Sequence, residues 1–155
     1  MSVLITSAVI INRPKAEVFE FIRDVQSHTA WMIDAKSIEI ISDVKTGIGL
    51  RFRCETRLGP LHTSDIMEIT GWHEGELISI AHRGLIQGEG TFKLQDYGFD
   101  RTLFCWEEQL EVPFLLGGQI TGAIIMPILR LVFQRDLRNL RRLIEATPTD
   151  SASFA

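Results

Sequence analysis

The stretch from Leu115 to Ile144 constrains this chain most, because it is the longest apolar segment and everything before it must be arranged around it. Its spacing predicts one long helix. At about 100° per residue, Met126, Leu129, Phe133, Leu137, Leu140 and Ile144 fall on a single stripe, with Arg135, Arg138, Arg141, Arg142 and Glu145 opposite. Upstream, Ile120, Ile124, Ile128 and Leu131 project from the face that later becomes cationic, so the first turns are apolar nearly all round. A surface helix has no use for a second apolar face. A loop, a partner chain, a ligand or a membrane surface must cover it.

At 155 residues the chain is long enough for one domain and one core, expected over residues 1–146, with a disordered tail over 147–155. The net charge of −4 argues against nucleic acid, and the arginines of the late helix read as solubilising. Cys54 and Cys105 sit in strand patterns without a Cys-x-x-Cys pair or a His cluster, which implies no disulfide framework and no metal site. No nucleotide-binding loop is present either, since Gly88-Glu89-Gly90 lacks a third glycine and opens no helix; no cofactor is expected. Met1 to Ile11 reads as a strand rather than a secretion signal. The run from Ile120 to Phe133 is broken by Thr121 and Arg130 and falls short of the roughly 18 residues of a membrane span, so a cytoplasmic protein is expected.

Taken in order, the apolar strand at the N-terminus stops at Asn12-Arg13-Pro14, where proline suits the first helical position. Val18, Phe21, Ile22 and Val25 then repeat at helical spacing with Phe19 on the flank, and Asp24 can cap a second short turn ending near Trp31. From Ile38 onward the period becomes two for about 75 residues. Strands are expected at Ile38 to Ser42, around Phe52 and Cys54, from Leu61 to Trp72 with a bulge near Ile66 and Met67, at Leu77 to Arg83, Thr91 to Gln95 and Arg101 to Val112. Gly84 to Gly90 reads as a loose loop. The fold class that follows is two-layer α+β: a curved sheet of six or seven antiparallel strands gripping the terminal helix, with two short helices after strand 1.

Several local motifs carry a family likeness. Arg13-Pro14-Lys15-Ala16-Glu17-Val18-Phe19-Glu20-Phe21-Ile22-Arg23-Asp24 is followed seven residues later by Trp31. Gly47-x-Gly49 precedes an alternating strand, and Trp106-Glu107-Glu108 leads to Val112-Pro113. With the closing helix, these resemble the START-like (SRPBCC) superfamily of helix-grip proteins, above all its polyketide cyclase/dehydrase-like members. The resemblance runs over residues 3–145. It implies a hydrophobic ligand such as a lipid, polyketide or hormone-like molecule, and in some branches cyclisation or dehydration of a polyketide. The family has no universal catalytic motif, so the resemblance assigns no catalytic residue.

Strand parity supplies the candidate site. Glu108 shares a face with Phe104, Trp106 and Leu110, where a carboxylate must be paired or protonated; the plainer reading puts it at a wet strand end or beside an arginine. Asp65 shares parity with Met67 and Ile69, and His82 with Ile78 and Ile80, although a single bulge reverses either. Together the three form a candidate acid/base set. Trp31, Phe52, Phe92, Trp106, Ile124 and Ile128 are candidate ligand-lining residues, with plain core packing as the equal alternative. Gly84, Gly88 and Gly90 bracket a candidate mouth, and Phe114 to Met126, before Pro127, a candidate gate. Binding of a hydrophobic small molecule, a lipid, polyketide or aromatic compound, in an internal cavity between sheet and terminal helix leads; a cyclase or dehydratase using acid/base residues in that cavity, and a homodimer or partner interface on the extra apolar face, are the alternatives.

Overall fold

In a computed structural model, residues 2–111 and 118–148 are described, and within the terminal helix the side chains from Ala123 onward. The alternation that is clearest in sequence sets the architecture. In β3, Arg51–Leu58, Phe52 and Cys54 are buried while Arg51, Arg53 and Arg57 face out. β1 (Ser2–Ile11), β2 (Ala35–Ile40), β4 (Leu61–His73), β5 (Leu77–Arg83), β6 (Gln87–Asp96) and β7 (Thr102–Glu111) complete a seven-stranded antiparallel sheet in the order β1-β7-β6-β5-β4-β3-β2. Only β1 leaves its sequence neighbour. It pairs with β7 from Ser2↔Glu111 to Ile11↔Thr102, because the helical segment after it carries the chain across to the far edge.

That segment holds α1 (Lys15–Ile22) and a 3-10 helix (Val25–Ala30). Asp24 caps the second, its Oδ1 accepting from the Gln26 amide at 3.1 Å, as expected. Pro14 stands one place earlier than expected: its ψ of 149° is extended, so it is the residue before the first helical turn. The buried face of α1 also differs from the sequence reading. Phe19 is buried edge-on to Trp72 at 5.4 Å, while Phe21 is only half-buried.

The helix α2, Gly118–Ala146, crosses the inner face of the sheet and includes Pro127 without interruption. Phe133, Leu137, Leu140 and Ile144 are buried, as the stripe predicted, against a core that includes Ile5, Ile11, Phe104 and Trp106. Its C-terminal end is clamped to the start of α1: Glu145 accepts from the Asn12 amide, and Arg13 donates to the Glu145 carbonyl. The architecture is the expected helix-grip α+β fold.

Three features of the strands differ from the sequence reading. β2 begins three residues early, where the Arg57 amide donates to the Asp34 carbonyl and extends pairing with β3. The β4 register shift lies between Ile69 and Gly71, not at Ile66 and Met67; at Gly71 a side chain would press on Ser79. Gly88 and Gly90 are not loop residues, because β6 starts at Gln87 and both pair with β5 and β7. The start of the candidate gate and the tail from residue 149 lie outside the described residues.

Candidate functional site

The inner face of the sheet is mostly apolar, with Ser7 and Thr102 among its buried polar residues, and three ionisable side chains on it lie along one row. Cys54 in β3 stands opposite Asp65 in β4, Met67 in β4 opposite His82 in β5, and Glu108 projects from β7 two strands away from His82. Parity therefore turns all three candidate acid/base residues inward. Asp65 and Glu108 are buried, and the His82 side chain is 18% exposed.

Glu108 is held from two sides. The Trp106 indole N–H donates to Oε1 at 2.8 Å, and His82 Nε2 lies 3.1 Å from Oε2. The second contact is a charge contact rather than an aligned hydrogen bond, since Oε2 has no well-directed donor. Burial pushes the His82 imidazole down, yet its interaction with Glu108, helped by the fields of Asp65 and Asp34, raises it above its ordinary value. Asp65 is tied elsewhere, accepting from the Leu85 amide at 2.8 Å and so fixing the β5–β6 turn. The three candidates thus divide: His82 and Glu108 meet, while Asp65 acts on His82 through its charge.

The candidate mouth glycines have a different role. A Cβ on Gly84 would overlap the Asp65 carboxylate, and one on Gly90 would overlap that of Glu108. A side chain on Gly88 would strike the Gln109 carbonyl, and its φ of 147° also favours glycine. These glycines make room for the two acids and for close strand approach.

The aromatic candidates pack on one another. Trp31 lies 6.0 Å from Phe92 and 5.7 Å from Trp106, and the Trp106 ring stacks on Phe133 of α2 at 4.0 Å with 5° between planes. Phe52 is 1% exposed. Ile124 and Ile128 stand apart from this cluster, 63% and 48% exposed on the outward side of α2. Ile128, with Ile33 and Leu131, lines an open groove of about 470 Å³ between α2 and the β2 edge of the sheet, rimmed by Lys36, Arg57 and Arg135.

Three further interior groups escape the sequence reading. Asp136 is fully buried; Oδ1 accepts from the Ile33 amide at 2.9 Å, Oδ2 has no hydrogen-bond partner among the described residues, and burial, opposed by that bond, pushes its pKa up to about 7. It shares the phase of Phe133 and Leu140 on α2, which is the signal that marks it. Asp34 lies in a loop where periodicity is silent; burial raises its pKa, and the charge of Glu108 adds to the effect. His28 is a core residue, with Nε2 2.9 Å from the Ile22 carbonyl and its ring edge-on to Trp31 and Phe92; burial pushes its pKa down to about 4. A carbonyl only accepts, so the neutral ring carries its proton on Nε2. Among the described residues no group of acids, histidines and cysteines could hold a metal ion, and no helix is long and apolar enough to cross a membrane.

The arrangement offers an acceptor fixed by an indole, a histidine biased toward its protonated form beside it, and a surrounding apolar floor. Residues 2–145 match the family model described as polyketide cyclase/dehydrase and lipid transport. The chain belongs to this family. Solved structures agree on the fold. A protein of Thermus thermophilus matches with a TM-score of 0.82 at 15% identity, over 95% of this chain and 100% of its own. The Zhui aromatase/cyclase of a Streptomyces species matches at 0.81 and 10% identity, over 97% and 98% of the two chains. A START superfamily protein of Mycobacterium smegmatis matches at 0.68 and 15%, over 92% and 94%. A search of curated proteins returns no match.

Proposed function

We propose that this protein binds a hydrophobic small molecule, a lipid, polyketide or aromatic compound, between the inner face of the sheet and α2. The observation that carries this reading is the ionisable row on a mostly apolar wall: His82 and Glu108 side by side, with buried Trp31 Nε1 and Asp136 Oδ2 lacking hydrogen-bond partners among the described residues. Buried polar atoms are normally satisfied, and a mostly apolar guest with one or two oxygens supplies what such a wall needs. The family description, which includes lipid transport, supports it. Native mass spectrometry, with displacement of an environment-sensitive dye by fatty acids and aromatic polyketides, tests it. Stoichiometric uptake is expected; no uptake of any apolar compound overturns it.

The His82–Glu108 contact favours a second reading, a cyclase or dehydratase that moves a proton on the bound guest. Protonated His82 would polarise a ketone oxygen, and the carboxylate of Glu108, oriented by Trp106, would take the proton from the adjacent carbon. One of the structural relatives is an aromatase/cyclase, which supports this direction. Glu108→Gln then abolishes turnover of an aromatic polyketide substrate while its binding persists. Loss of binding and turnover together would argue for a purely structural carboxylate.

A further inference from the structure

The groove between α2 and the β2 edge is asymmetric in charge. Its floor carries Ile33, Ile128 and Leu131, which are 37%, 48% and 64% exposed. Its rim carries Lys36, Arg57 and Arg135 and, among the described residues, no acidic side chain. Three cations on one trough are notable in a chain with a net charge of −4. The Lys36 ammonium is anchored on the Ile33 carbonyl at 2.8 Å, and neither Arg57 nor Arg135 has an ion-pair partner among the described residues. Asp34 and Asp136 lie next to two of the groove residues in sequence, and Asp34 acts electrostatically on Asp136 and His82 and is itself acted on by Glu108.

We propose that the groove takes a single-chain amphiphile with an anionic head, a long-chain carboxylate, whose head sits on Arg57, Arg135 and Lys36 and whose chain lies along Ile128 and Leu131. The groove shares no residue with the His82–Glu108 row, so this is a second site that goes beyond the binding reading above. Guanidinium forks match a carboxylate's two oxygens. The cations stand at the rim and the apolar side chains along the floor, so the ligand has one orientation. The groove volume is within the range of small-molecule sites, and the apolar face of α2 that the sequence left without a partner is covered by the chain.

The test compares hexadecanoate, below its micelle concentration, with hexadecanol, by native mass spectrometry and dye displacement, on the full chain and on the variant Lys36→Gln/Arg57→Gln/Arg135→Gln. All three side chains belong to exposed residues, and circular dichroism checks the variant's fold. Expected is one hexadecanoate per chain, bound about tenfold or more tighter than hexadecanol and weakening with salt, a preference that the variant loses while hexadecanol affinity is unchanged. Equal affinity for acid and alcohol, or a preference that survives in the variant, overturns the proposal and leaves the binding reading intact. Uptake of neither compound, nor of the dye, removes both. Association only with phosphatidylglycerol vesicles, or a dimer in sedimentation that Ile128→Glu abolishes without any uptake of monomeric acid, overturns it in favour of a bilayer or a second copy.

Discussion

His82 and Glu108 meet at 3.1 Å although a whole strand separates them. β6 lies between β5 and β7, and where the two side chains cross it the strand presents Gly88, opposite His82, and Gly90, opposite Glu108. A Cβ at Gly90 would come within 2.7 Å of the Glu108 carboxyl carbon. The carboxylate therefore occupies the volume that any other residue at position 90 would fill.

Gly90→Ala should expel Glu108 from its place or force β6 outward. Overpacking of this kind costs about 1–3 kcal/mol, visible as a lower Tm. Gly75→Ala is the control, since Gly75 has a positive φ but open space around it and its strain is conformational only. If the carboxylate is displaced, His82 in Gly90→Ala titrates at lower pH than in the parent protein, while in Gly75→Ala it is unchanged.

The pair also fixes a pH dependence. The folded pKa of His82 is raised above 6.5 by Glu108, Asp65 and Asp34 against the opposing effect of burial. Its contribution to stability is therefore full below the unfolded value and is lost as pH rises through the folded one. Nuclear magnetic resonance titration of the imidazole should show a lower pKa in Glu108→Gln. The Tm difference between parent and His82→Gln should shrink as pH rises past the folded pKa. A difference that grows with pH would mean that burial prevails over the acids.

How much of this is legible in the sequence depends on the range of the interaction that fixes each feature. Period-two alternation puts Glu108, Asp65 and His82 in phase with inward apolar neighbours because a strand has only two faces, and the assignment holds because the β4 register shift falls beyond Asp65, between Ile69 and Gly71. The same rule fails for Gly88 and Gly90. With two glycines among four residues, the segment has too few side chains to show a period, and its strand character comes from pairing with β5 and β7. That His82 and Glu108 touch depends on strand order. Asp136 has the phase of the buried stripe, but an aspartate among arginines reads as surface until the Ile33 amide that holds it is in place.

Asp136 gives a test with a definite sign. Burial raises its folded pKa from 3.8 to about 7, so the folded state holds the proton more tightly. The stabilisation is full below the unfolded pKa and is lost as pH rises from about 4 to about 7. His28 acts the other way: its folded pKa of about 4 means that stability is lost as pH falls from 6.5 toward 4. Asp136→Asn keeps an oxygen for the Ile33 amide and removes the titration. Stability of that variant, followed by thermal unfolding from pH 4 to 8, should rise more steeply with pH than in the parent protein, because the opposing titration of Asp136 is gone. A parallel pair of curves would show that Asp136 does not titrate in this window.

The stacked contact of Trp106 on Phe133 joins the sheet to the helix at the site itself, because Trp106 also orients Glu108. Phe133→Ala removes a buried ring and should cost about 3–5 kcal/mol. Trp106 then loses the ring that covers one face and becomes free to tilt, which loosens its bond to Glu108. Two readouts should therefore move together: Tm falls, and the pKa of His82 shifts as the carboxylate loses its fixed position. Phe133→Leu, which keeps much of the volume but not the flat face, separates the causes. If stacking positions Trp106, the leucine variant recovers most of the Tm yet still shows the altered His82 titration. If volume alone matters, both return to the parent values together.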